Sequence, residues 1–150
     1  MSRFLAVILV VIILAVALRA APAPKEKAQP PRDWDIALTA VGGDRFAEVK
    51  IKLTANAEKV TGWRMRTFGD GTVSKSQAHI SAAAIEHLWK TVAKVNAMDL
   101  PDLEKRVLNV PDYTIGLAWG GKSRTIQVKG ASKSAPHLEL ILAIEKCFDE

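Results

Sequence analysis

"AVGGDRFAEVKIKL", residues 40–53, decides how this chain is read. From Glu48 to Leu53 the residues alternate without a break, Val49, Ile51 and Leu53 on one side and Glu48, Lys50 and Lys52 on the other. A period of two belongs to a strand with one face on a core and one in water, the habit of antiparallel sheets. The glycine pair before it admits two readings. A phosphate-binding loop needs glycines that leave a strand and open a helix, whose N-terminus then meets the anion. Gly42 and Gly43 instead stand between "DIALTAV", with Ile36 and Leu38 on one side, and the alternating run. Their spacing fits neither GxGxxG nor the Walker pattern. They read as the bend of a hairpin, where glycine supplies a positive φ.

The same punctuation recurs downstream. Polar "ANAEK" turns the chain, and "GWRMRTF" (62–68) repeats the alternation, with Trp63 and Met65 expected inward and Arg64 and Arg66 outward. Gly69 and Gly71 mark a second bend, and Thr72–Ser76 is expected as a short edge strand. Ser81 is placed to cap a helix, its hydroxyl accepting from a first-turn N–H. Ile85, Leu88, Trp89, Val92 and Val95 then recur at helical spacing, so 82–97 is expected as one amphipathic helix. Pro101 marks its exit into an irregular crossing, "DLPDLEKRVLNVPD". "YTIGLAW" puts Tyr113, Ile115, Leu117 and Trp119 on one face. Gly120 and Gly121 form the third bend, and Ile126 and Val128 share a face of the strand that follows. Pro136 suits the first turn of a closing helix through Leu138, Ile141, Leu142, Ala143 and Phe148.

Strands, helix, strands, helix, with hairpins in place of crossovers, give an α+β fold. The expectation is an antiparallel sheet of four to six strands with two helices packed on one face. An N-terminal apolar helix and a disordered linker are expected to precede it.

The N-terminus has its own character. Arg3, an unbroken apolar run from Phe4 to Leu18, and Arg19 are laid out like an export signal. The run is short for a permanent span, which takes about 20 apolar residues. Its cleavage site is also poor, since Leu18 stands where a small residue is wanted if Ala20 is last. Residues 1–21 are therefore read as a signal peptide or a membrane anchor, 22–33 as a proline-rich linker, and 34–150 as one domain. The domain is expected on the outer side of the cytoplasmic membrane: secreted or periplasmic if cleaved, membrane-anchored through residues 4–18 if not.

Of the 150 residues, 21 are basic and 16 acidic, a net charge of +5. Without residues 1–21 the count is 19 to 16, or +3, too mild to announce nucleic-acid binding. Cys147 is the one cysteine, so no internal disulfide exists, and it reads as a small hydrophobe on the last helix.

Chemistry is hard to find. His79, His87 and His137 match no metal-ligand spacing. Ser132 and Ser134 lie in a polar loop, with no GxSxG elbow. Asp99, Asp102, Glu104 and Asp112 gather around the crossing, with Lys105 and Arg106 at hand to neutralise them. No catalytic, metal or cofactor residue is assigned, and the expectation is a non-enzymatic chain. The outer sheet face is more informative. Lys50, Lys52, Arg64, Arg66, Gln127 and Lys129 are expected to point away from the helices as a basic stripe. Such a stripe suits an acidic protein surface or an anionic membrane. Exposed aromatics, the mark of RNA-binding sheets, are not expected in its central strands.

Taken together, "VGGDRFAEVKIKL", the Ser-started helix, "AMDLPDL", "DYTIGLAWGGKSRTIQV" and "APHLELILAIEK" resemble the emfourin-type bacterial proteins. That resemblance implies a small inhibitor of thermolysin-like metalloproteases. The order is similar also to a group of small bacterial envelope domains of unknown function that carry an extra hairpin before the first helix, here "FGDGTVSKS". The likeness spans about 36–146 in turns, prolines and core residues, so it bears on fold more than on activity. It implies no inhibitory residues here. The functional expectation is an exported interaction domain of the cell envelope, with protease inhibition as the alternative and a small hydrolase as a third.

Overall fold

A computed structural model of the chain describes residues 30–43, 45–56, 59–104, 110–130 and 135–148. The strands are β1 (Trp34–Val41), β2 (Phe46–Asn56), β3 (Lys59–Phe68), β4 (Val73–His79), β5 (Leu103–Glu104), β6 (Asp112–Trp119) and β7 (Lys122–Lys129). The helices are α1 (Ala82–Lys94) and α2 (Pro136–Lys146). Among the described residues the strands form one seven-stranded sheet in the order β4-β3-β2-β1-β6-β7-β5. Every pairing is antiparallel except that of the two-residue β5, which lies parallel to β7. The fold is α+β with two packed helices. The crossing segment contributes the extra edge strand.

The core follows the alternation of the central strands. In β1, Trp34, Ile36, Leu38 and Ala40 point inward, and the register sets Ile36 and Leu38 between Leu53 and Ile51 of β2 and Leu117 and Ile115 of β6. Ile126 and Val128 of β7 continue the layer. The helices close it with Leu88, Trp89 and Val92 from α1 and Leu140, Ile141 and Ile144 from α2. Burying each such side chain stabilises by about 1.5–3 kcal/mol. At one end Trp89 packs edge-on against Trp34 and Trp119, with ring centroids 5.6 and 5.0 Å away. At Gly120 and Gly121 both φ values are positive, 58° and 74°, as a two-residue hairpin with right-handed strand twist requires.

Helix ends obey local chemistry. Ser81 Oγ accepts from the Ala84 N–H at 3.2 Å. The helix stops at Lys94, three residues short of the sequence expectation. Asn96 adopts the left-handed conformation (φ 49°), and Ala97–Asp99 continue as a 3-10 turn. Asn is one of the few residues that enters this region readily. Pro136 opens α2, and the Lys94–Glu139 ion pair at 2.7 Å ties the two helices together.

Three expectations are corrected. β3 lies the other way up: Arg64 pairs with Ile51 and Arg66 with Val49, so both arginines share the helix-side face. Trp63 and Met65 pair with Lys52 and Lys50 on the outer face. The reason is Gly62, opposite Leu53. A Cβ there would fall 2.7 Å from Phe148 Cζ, 2.9 Å from Leu53 Cδ2 and 3.0 Å from Ile80 Cδ1. The core over the middle of β3 is filled from neighbouring elements, and β3 itself contributes Gly62 and the partly buried Val60. Second, the edge strand is longer than expected, reaching His79. Third, no helix among the described residues is long and apolar enough to cross a membrane, so the expected transmembrane helix is not found there. The run 4–18 and most of the linker expected at 22–33 lie outside the described residues.

Candidate interaction surface

The six residues expected to make one basic stripe are divided by the sheet. Lys50, Lys52, Gln127 and Lys129 face outward, while Arg64 and Arg66 lie on the helix side. The outward lysines are also balanced. Lys50 Nζ lies 2.9 Å from Glu48, Lys52 Nζ 3.7 Å from Asp35, and Lys129 Nζ 3.9 Å from Glu104. Thr114 donates to the Gln127 side chain at 3.0 Å. Between these charges the middle of the outer face carries small side chains, Ala37 beside Gly116 and the polar Thr39 beside Thr114.

The candidate catalytic groups are likewise partnered or dispersed. Asp99 accepts from Asn96 Nδ2 at 2.7 Å, and Asp102 from the Gln127 N–H at 2.9 Å. His79 ends β4 and His87 is exposed on α1. His137 is 4% exposed; its Nε2–H donates to Pro101 O at 2.7 Å, and its Nδ1 is buried without a hydrogen-bond partner. Among the described residues no three His, Cys, Asp or Glu side chains gather closely enough to hold a metal ion. Burial, with a smaller push from the Glu145 carboxylate, raises the Tyr113 phenol above its ordinary range. A cleft of about 350 Å³ between the helices is lined by His87, Lys90, Lys94, Glu139 and Lys146. Two of its lysines are engaged, Lys90 with Glu86 at 2.8 Å and Lys94 with Glu139 at 2.7 Å.

A different surface emerges on β3 and β4, beyond the reach of the core. Past Gly62 the helix-side face opens, with Arg64 and Arg66 half-buried, Phe68 exposed, and Ser74 and Ser76 exposed on β4. Arg66 lies over the Phe46 ring, its Cζ 5.1 Å from the centroid, and Phe46 meets Phe68 edge-on at 5.0 Å. Arg64 lies over Phe148 at 5.3 Å. A cation over an aromatic face is held there by the electrostatic attraction of the ring quadrupole. On the opposite face Trp63 (41% exposed) and Met65 stand between Lys52 and Lys50 of β2 and Gln77 and Lys75 of β4. Of the five exposed large hydrophobics among the described residues, Trp63, Phe68 and Val73 belong to this wing. The sequence assigns no role to Phe46 or Lys75, and it places Phe148 only on the closing helix. The signal that could locate Phe148 is a glycine inside a strand, which marks a close approach of another group, here Phe148 over Gly62.

No family model matches this chain, and no curated protein matches it. The two resemblances stated for the sequence therefore stay resemblances.

Proposed function

We propose that the chain is an exported, non-enzymatic domain that binds a protein partner through the β3–β4 wing. The observation that carries this reading is that exposed apolar side chains stand beside cations on both faces of one wing of the sheet, Trp63 and Val73 on the outer face and Phe68 on the helix side. Scattered exposed hydrophobics are ordinary, but grouped ones rimmed by charge mark contact surfaces. Aromatic and arginine side chains are also the residue types that dominate binding energy at protein interfaces. The apolar leader supports export. The test places a photo-crosslinking amino acid at Trp63, Phe68 or Thr114 in the native host. The reading expects one common adduct from Trp63 and Phe68 and none from Thr114, in the middle of the outer face. Equal adducts from all three positions, or from Thr114 alone, refute it.

The emfourin-type resemblance suggests a narrower version, in which the partner is a thermolysin-like metalloprotease. What supports this version is the order of turns, prolines and core residues in the sequence that carries the resemblance. Stoichiometric slowing of such an enzyme at micromolar protein supports this version, and no slowing removes it.

A further inference from the structure

We infer that the free edge of β4 takes up an extended, acidic segment of a protein partner as an added strand. The inference rests on the wing being the contact surface and names what occupies it. The two ends of the sheet differ. At one end β5 is two residues long, whereas at the other β4 runs seven residues and all but Ala78 are exposed. A strand at the end of a sheet presents a row of backbone N–H and C=O groups that a second chain can pair with. Short strands, edge lysines, proline, bulges and inward charges are the usual protections; β4 carries one lysine, Lys75, but it has no proline and pairs with β3 in unbroken register from Thr67↔Val73 to Thr61↔His79. Lys75 is its single charge.

Chemistry then selects the occupant. From Lys59 to His79 the chain carries Lys59, Arg64, Arg66 and Lys75 against Asp70 alone. The outer-face lysines nearer the centre have carboxylate partners, but no salt bridge within the described residues engages Arg66 or Lys75. Ser74 and Ser76, the β4 partners of Arg66 and Arg64, are small. Strands lie about 4.8 Å apart, so an added strand sits two spacings from β3. A glutamate on its helix-side face lies across the small serines from Arg66, within the field of that cation though not in contact with it, since the Arg66 guanidinium stands over Phe46 of β2. One on its other face lies beside Lys75. Backbone pairing supplies affinity and the alternate side chains supply selectivity, the division of labour in strand addition. A second copy of this chain would bring like charge to the same edge.

The test uses the full chain and a fluorescein-labelled heptapeptide of alternating valine and glutamate. Its controls are a valine–lysine peptide and the acidic peptide N-methylated at alternate amides. Anisotropy reads binding, and hydrogen exchange reads the amides of Val73–His79. The expected result is binding of the acidic peptide alone, with slowed exchange in β4. Lys75→Glu weakens it about fivefold, the scale of one or two exposed charge contacts. Lys75 is exposed, so this variant folds; Arg66→Gln is the second arm. No binding up to millimolar peptide, equal binding of the N-methylated peptide, or binding without β4 protection overturns the inference. So does β4 protection without peptide in a dimeric protein, which assigns the edge to self-pairing. Crosslinks confined to Trp63 and Phe68 alongside a negative peptide result leave the wing standing and sink the added strand alone.

Discussion

Replacing Gly62 by alanine tests the facing of β3 by the sign of its effect. On an exposed sheet face, Gly→Ala in a strand removes chain entropy from the unfolded state and stabilises by about 0.4–1 kcal/mol. The structure places the added methyl 2.7 Å from Phe148 Cζ and 2.9 Å from Leu53 Cδ2, distances at which something must move. Phe148 follows the end of α2 and can tilt, but only by giving up its place over Gly62 and its contact with Arg64. Overpacking of this kind costs about 1–3 kcal/mol. At roughly 4 °C per kcal/mol for a domain near 100 residues, the melting temperature should fall by about 4–12 °C. Thermal unfolding by circular dichroism reads it, with Gly62→Ala/Phe148→Leu as the relieving double variant. Trp63→Ala supplies the second arm. With Trp63 41% exposed on the outer face, its loss should cost about 1 kcal/mol, the scale of a cross-strand pair. Trp34→Ala, at 4% exposed, should cost about 3–5 kcal/mol. A stabilised Gly62→Ala, or a Trp63→Ala as damaging as Trp34→Ala, refutes the register and returns Arg64 and Arg66 to the outer face.

Ser81→Ala removes the side-chain cap of α1 and should lower stability by about 1 kcal/mol in urea titration, with Ser81→Asp retaining most of it. His137→Phe leaves Pro101 O without its 2.7 Å donor beneath the helix and should cost about 1–3 kcal/mol, read by the same titration. Tyr113 gives a pH dependence. Its folded-state pKa is raised, so its contribution is fully present below the unfolded value of about 10 and is lost as pH rises through the folded value. Ultraviolet titration should show a midpoint above the ordinary tyrosine range, and Glu145→Gln should bring it partway down without abolishing the shift, because burial is the larger cause.

The sheet was legible where strands are buried on one face and wet on the other. β1, β2, β6 and β7 each place alternate apolar residues against the helices, and periodicity alone assigns them their inner side. Ser81 and Pro136 were legible because a cap and a first-turn proline act locally, within one turn of helix. β3 was not. Its two alternating sets are Val60, Gly62, Arg64, Arg66 and Thr61, Trp63, Met65, Thr67, and hydrophobicity favours the second as the core set. What decided otherwise lies far away in sequence: Phe148 and Ile80 occupy the volume that a β3 side chain would have filled. Tertiary crowding overrode pattern, and the glycine was its one local trace.

That single inversion relocates the proposed contact surface. With Arg64 and Arg66 outward, six basic or amide side chains would have formed a continuous face across the sheet, and attraction to any acidic surface would follow from net charge alone. With them inward, the outer lysines fall beside Glu48, Asp35 and Glu104, and their fields largely cancel beyond a Debye length of about 8 Å. The arginines instead stand on aromatic rings beside an open strand edge, where charge can act together with directional backbone pairing. A stripe of charge would attract many partners weakly and lose them in salt. An edge that couples a cation to a hydrogen-bonded strand discriminates by register as well as by charge. Raising salt from 50 to 500 mM should therefore weaken acidic-peptide binding to the wing by less than tenfold and leave the β4 amide protection in place. Complete loss of both would mean that the surface works by net charge after all.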